Sequence, residues 1–171
     1  SELYREYHDT EWGRPLRGTQ ALFERVSLEA FQSGLSWLVI LRKRDNFRSA
    51  FAGFDIDRVA RFGEKDIDRL LTDPGIVRNR AKIEATIGNA RAIADAGLDL
   101  DELLWSFAPV RRARPSDLSK VPATTAESVA MAKELKRRGL RFVGPTTAYA
   151  LMQATGMVDD HVADCWVPVV S

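Results

Sequence analysis

KRRGLRFVGPTTAYALMQATG, residues 136–156, is the stretch on which the fold turns. Before it, Ala126 to Arg138 carries apolar residues at helical spacing and stops at Gly139. Thr124, with Glu127 three residues later, predicts a capping box at the front of that helix. After the glycine, LRFVGPT makes a tight hairpin, and Thr146 to Thr155 runs as a second helix to Gly156. VDDHVADC then begins a third helix. Taken as residues alone, Gly139 and Gly144 serve equally as an ordinary helix stop and helix start.

The rest of the chain repeats this character. From Thr19, Leu22, Phe23, Val26 and Phe31 recur at helical spacing until Gly34. Leu35 to Leu41 (LSWLVIL) is apolar almost all round; Ser36 can cap it and RKRDNFRSAF continues it, which predicts a buried central helix. Short helices follow Asp55 and Gly63, each opened by acidic residues suited to a helix N-terminus. Asp73-Pro74-Gly75 is a turn, and Asn79 to Ala96 is a helix with Ile83, Ile87 and Ala90 on one face. Another spans Asp101 to Phe107, and 109–122 is a Pro- and Arg-rich loop. With no strand pair and no repeat, the fold class is all-α.

At 171 residues and 45% hydrophobic, the chain can bury one core, so a single domain over 1–171 is expected. No apolar run is long enough to cross a bilayer, and no secretory signal is visible. The one cysteine, Cys165, has no partner for a disulfide, which fits a reducing, cytoplasmic location. A net charge of +1 removes the bulk signature of a nucleic-acid binder. Local basic clusters remain at Arg42, Lys43, Arg44 and Arg48, at Arg78, Arg80 and Lys82, at Arg111, Arg112 and Arg114, and at Lys133, Lys136, Arg137, Arg138 and Arg141. Each alone reads as a solvated face.

Six blocks carry a more specific signal: YHDTEWG (7–13), SLEAFQSGLSW (27–37), PGIVRNRAKIEATIGNARA (74–92), LWSF (104–107), 136–156 and DDHVADC (159–165). In order and over nearly the whole chain, they resemble the type I 3-methyladenine DNA glycosylases, a zinc-snap subfamily of the helix-hairpin-helix DNA glycosylases. The resemblance implies a helix-hairpin-helix at about 125–156 and zinc-binding termini at about 1–10 and 159–171. It implies DNA base-excision repair, with double-stranded alkylated DNA as the partner, no membrane, no obligate protein partner, and a monomer.

Physical chemistry assigns roles within those blocks. Backbone N–H groups at the helix start after Gly144 can point at a phosphate, with Arg141 and its neighbours adding attraction of no sequence preference. Related strand-cutting enzymes use a hairpin lysine for a Schiff base. The matching position here is Thr146, whose hydroxyl cannot form one, so the resemblance implies a monofunctional enzyme that leaves an abasic site. An alkylated adenine must be flipped out and held by stacking and edge contacts. By resemblance Glu29 bonds the purine edge, Trp37 and Tyr7 stack, and Trp12 and Tyr4 close the pocket. Methylation at N3 makes the base cationic, which favours aromatic faces and a carboxylate and lets the base leave neutral. For an arbitrary Trp or Tyr, plain core packing is the competing account.

The SGLSW turn supplies Leu35, with Gln32, as a wedge for the hole the base leaves; core packing explains Leu35 equally well. Asp159, in Val158-Asp159-Asp160-His161, is either a carboxylate for the sugar cation or a helix N-cap, and the cap is preferred. His161 and Cys165, four apart, suit one face of a helix and a zinc ion. The resemblance adds His8 and implies a fourth ligand, a cysteine upstream of Ser1, in a structural role. The competing functions are a non-catalytic DNA-binding module, a zinc-stabilised interaction domain, and a same-fold glycosylase for another purine lesion. Glu29 among aromatics argues against the first, and the basic hairpin against the second.

Overall fold

A computed structural model of the chain describes residues 1–110, 114–161, 165 and 167. Among them are no strands, as the periodicity predicts. The helices are α1 (Glu2–Thr10), α2 (Thr19–Gln32), α3 (Trp37–Ala50), α4 (Ile56–Ala60), α5 (Glu64–Leu71), α6 (Arg80–Ala96), α7 (Leu100–Trp105), α8 (Ala126–Arg137) and α9 (Pro145–Ala154). Short 3-10 turns lie at Ala52–Phe54 and, within the predicted loop, at Leu118–Lys120. The helix expected across VDDHVADC does not start where the sequence reading placed it: Val158 to His161 and Cys165 are not helical, and 162–164 lie outside the described residues.

Most helix starts have a local cause. Ser36, Asp55 and Asn79 each accept a backbone N–H from three residues on, at the fronts of α3, α4 and α6. At α8 the capping box is displaced by one residue from the sequence reading. Thr125 is the cap and Ser128 its reciprocal partner, at 3.2 and 2.9 Å, because Thr125 is the last extended residue before the helix. Glu127 therefore sits inside the first turn.

The central helix is α2 rather than α3. From Leu22 to Phe31, α2 buries Leu22, Phe23, Val26, Ser27, Leu28, Glu29, Ala30 and Phe31, since α3, α6, α7 and α9 all pack on it. In α3 only Ile40, Leu41, Phe47 and Ala50 are buried. Its first turn is half-exposed and its RKRD run faces outward, so a continuous apolar run there does not mean burial all round. Phe31 and Phe47, with ring centroids 4.8 Å apart, close the α2–α3 seam.

The segment after α1 is strapped across the end of α9. The Gly13 N–H donates to Ala154 O at 3.1 Å and the Leu16 N–H to Thr155 O at 3.0 Å, while Trp105 Nε1 donates to Leu16 O. Gly156 makes the crossing possible. Its φ is +79°, and a Cβ there would lie 2.7 Å from the Pro15 nitrogen and 2.8 Å from the Arg14 carbonyl carbon. Both obstacles are backbone, so neither can move aside cheaply. Replacing Gly156 with Ala is expected to lower the melting temperature by roughly 5–10 °C, read by circular dichroism; an unchanged melt would show that the strap is not fixed there.

Candidate active site

The strap, α1, α2, α3 and α9, with Leu118, Asp160, His161 and Cys165, line a cavity of about 310 Å³ that collects most of the residues singled out from sequence. Glu29, on α2, is 5% exposed. One helical turn earlier, Arg25 donates to Glu29 Oε1 from Nη2 at 3.0 Å and from Nε at 3.3 Å, and from Nη2 also to the Tyr7 hydroxyl oxygen. The guanidinium lies 4.2 Å from the Trp37 ring centroid and 5.2 Å from that of Tyr7. The two aromatic rings are 5.6 Å apart at 42°. Tyr7 comes from α1 and Trp37 from the capped start of α3, so three helices converge on one carboxylate.

Burial dominates the electrostatics. It pushes the Glu29 carboxyl above the ordinary carboxylate range, against the opposing charge of Arg25. It also pushes the Tyr7 phenol up to about 12. Arg25 is buried as well, yet Glu29 and Tyr7 hold its pKa above the usual value, so it stays charged. The Trp37 indole N–H is buried without a hydrogen-bond partner among the described residues, a donor left over in the wall.

Trp12 and Tyr4 also line the cavity, Tyr4 at its exposed rim. Five further lining residues were missed from sequence: Arg25, Leu118, Ala150, Gln153 and Asp160. The buried Asp160 carboxylate accepts the Tyr149 hydroxyl and Gln153 Nε2, the latter at 3.0 Å. Asp159, the residue weighed from sequence, does not line the cavity. Its carboxylate lies between Arg114 Nε, at 2.8 Å, and His161, whose backbone N–H and ring Nδ1 sit at 3.2 and 2.9 Å. Burial raises its pKa, but those hydrogen bonds outweigh it and hold the group below the usual range.

His8, His161 and Cys165 come together against the same wall, with their ligand atoms within 4.8 Å of one another. Each imidazole has Nδ1 on a carboxylate oxygen at 2.9 Å, His8 on Asp9 and His161 on Asp159. A carboxylate on the second ring nitrogen is the usual support of a metal-binding histidine. His161 Nε2 is buried and without a partner among the described residues, an orphan that a metal ion would satisfy. The site is tight: a Cβ on Gly13 would fall 2.7 Å from His161 Cε1. Trp12 meets the His161 ring edge-on at 4.8 Å, so one indole borders both cavity and cluster.

The predicted DNA-facing residues are separate from the cavity floor and exposed. Leu35 is 39% exposed at the tip of the α2–α3 turn, which removes core packing as its role. Gln32 Nε2 donates to Leu35 O at 2.9 Å, and Lys82, reaching from α6, donates to Phe31 O and Ser33 O, so the turn is held from both sides. Gly144 and Thr146 are exposed at the start of α9, where no side chain caps the backbone N–H groups. Arg141 is exposed as well, and its backbone is gripped by the buried Asn89 amide at 2.8 and 3.1 Å. Several other basic residues prove to be paired. Arg48 bonds Glu24, Arg80 bonds Glu64 and Glu84, Arg137 bonds Glu134, and Arg114 turns inward to Asp159. Residues 111 and 112 lie outside the described set.

Comparison with known proteins agrees with this geometry. Residues 1–168 match the family model described as methyladenine glycosylase. The chain is 45% identical over 168 residues to DNA-3-methyladenine glycosylase 1 of Escherichia coli, covering 95% of this chain and 90% of that one. It superposes on a crystal structure of a 3-methyladenine DNA glycosylase I with a TM-score of 0.93 at 44% identity, over 97% and 94% of the two chains. A Staphylococcus aureus 3-methyladenine DNA glycosylase I, solved to explain its recognition of 3-methyladenine, superposes with a TM-score of 0.92 at 35% identity, over 98% and 93%.

The raised carboxyl of Glu29 has a measurable consequence. A group whose folded pKa exceeds its unfolded value favours folding at low pH, and that contribution is lost as pH rises through the folded value. Melting temperatures of the wild type and Glu29→Gln are therefore expected to diverge as pH rises above the ordinary carboxylate range, the wild type losing ground. Parallel curves would show that Glu29 titrates normally.

Proposed function

The chain belongs to the methyladenine glycosylase family, and from that premise we propose how its residues excise 3-methyladenine from DNA in base-excision repair. The observation that carries the reading is the buried Glu29 carboxylate facing a cavity walled by Tyr7 and Trp37. A flipped alkylated adenine fits these groups. Trp37 and Tyr7 stack on the cationic ring, Glu29 takes its polar edge, and Trp12 and Tyr4 close around it. Leu35, with Gln32, fills the gap left in the duplex. The uncapped N–H groups at the front of α9 hold a backbone phosphate beside Arg141, in a helix-hairpin-helix spanning about 125–156.

In the reaction, water adds to the sugar carbon as the glycosidic bond breaks. The bond's electron pair passes to the ring and neutralises its charge, and the attacking water's proton is released. Because the alkylated base leaves as a neutral molecule, no side chain has to protonate it, and discrimination resides in binding. Thr146 offers no amine for a Schiff base, so the product is an intact strand with an abasic site. We place this activity in the cytoplasm, in a monomeric single domain over residues 1–171 acting on double-stranded alkylated DNA.

His8, His161 and Cys165 fit a zinc ion by donor type, proximity and the orphaned His161 Nε2. The family resemblance supplies a cysteine upstream of Ser1 as the fourth ligand. When bound, zinc would serve only as a structural clasp between the two termini about 1–10 and 159–171, leaving bond cleavage to the cavity residues.

Two measurements test these assignments. Incubated with methylated duplex DNA and analysed by chromatography, the protein is expected to free 3-methyladenine, and Glu29→Ala to slow release by about a hundredfold or more. Unimpaired release by the variant would remove Glu29 from the site. Metal analysis of the purified chain is expected to find zinc, with His161→Ala losing the metal and melting at lower temperature. A metal-free parent of full stability would contradict the clasp.

A further inference from the structure

The wall assigned to a cationic base already holds a cation. Arg25 has only 11% of its side chain exposed, and its planar guanidinium faces Trp37 at 4.2 Å and Tyr7 at 5.2 Å. It also takes both edge contacts, to Glu29 Oε1 and to the Tyr7 hydroxyl. These are the same three residues that an alkylated purine needs for stacking and for charge. A guanidinium and an N3-alkylated adenine are alike in being flat, delocalised and positively charged, and two such cations cannot share one ring face and one carboxylate.

We propose that Arg25 is a displaceable occupant of the base site: its guanidinium stands in for the substrate cation on Trp37, Tyr7 and Glu29, gives way to an incoming alkylated adenine, and returns to expel the freed base. The inference rests on the base-pocket reading above and adds a specificity-determining residue to it. Its direction comes from charge. Before cleavage the flipped base is a cation and can replace the guanidinium at the Glu29 carboxylate. After cleavage the base is neutral and the buried carboxylate is left without a positive partner, an unfavourable state that Arg25 relieves by swinging back. Arg25 is well placed for this exchange, lying one turn from Glu29 on the same helix, with a long side chain whose head alone has to move.

The occupant lowers apparent affinity in proportion to the time it spends in place, so a guanidinium seated nine-tenths of the time weakens binding about tenfold. Free 3-methyladenine is titrated into the wild type, Arg25→Met and Arg25→Gln, following tryptophan fluorescence, with a thermal melt to establish that each is folded. The expected result is about tenfold tighter binding in either variant, with matching stronger product inhibition of base release. Equal or weaker binding in a folded variant overturns the proposal, making Arg25 a direct base contact or a plain structural ion pair. No binding by wild type or variants removes the base-pocket reading itself. A variant-free measurement covers the case in which neither substitution folds. In nitrogen-15-labelled wild type, the protected Arg25 Nε–H signal is expected to vanish on saturation with 3-methyladenine, and its persistence overturns displacement.

Discussion

A carboxylate buried inside the central helix sets the terms for the rest of this molecule. Glu29 sits on a face of α2 flanked by buried Leu28, Ala30 and Phe31, and it must be matched by charge and hydrogen bonds or lose its ionisation. Removing one member of such a buried pair costs about 3–5 kcal/mol in well-studied cases. The fold answers with Arg25 one turn away, the Tyr7 hydroxyl from α1, and the Trp37 ring from α3. The same charge that makes this stretch costly to bury suits the positively charged guest proposed for it.

That arrangement works only if α1 is held in place, because α1 carries Tyr7. Helix α1 is short, and its fixation comes from the segment after it. The strap bonds to the end of α9, Gly156 lets the backbones cross, and His8 reaches the His161–Cys165 cluster. Trp12 touches both centres, lining the cavity while its ring lies against His161. The His8–His161–Cys165 cluster and the cavity thus share one wall. A metal held there would act from the edge of the cavity itself, by fixing its aromatic side. The turns proposed to face DNA are built independently: Lys82 secures the Leu35 turn and Asn89 the Arg141 turn, both from α6.

Much of this was legible in the residues, and the misreadings share a cause. Helix positions followed from caps such as Ser36 and Asn79, where partner and cap lie within one turn. Thr124 and Thr125 are both competent caps, and only the chain path decides between them. Burial is harder to read. LSWLVIL looks like the more buried helix, yet α2 has neighbours on all sides, a property set by distant segments. Arg25, four residues before Glu29, was passed over for the same reason. That spacing was the one signal that could have pointed to Arg25. The basic clusters looked unpaired because their acidic partners, such as Glu24 for Arg48 and Glu64 for Arg80, are far away in sequence. Asp160 was passed over for its neighbour because adjacent carboxylates in a non-repeating segment give no sign of which faces inward.

The central claim is that the Glu29 wall is where the damaged base sits, and a crystal structure of the protein soaked with 3-methyladenine tests it most directly. The account predicts density for the base in the cavity, its ring face on Trp37 and Tyr7 and its polar edge within hydrogen-bond distance of Glu29. Density for the base at another site, with the Glu29 wall unchanged, would contradict it.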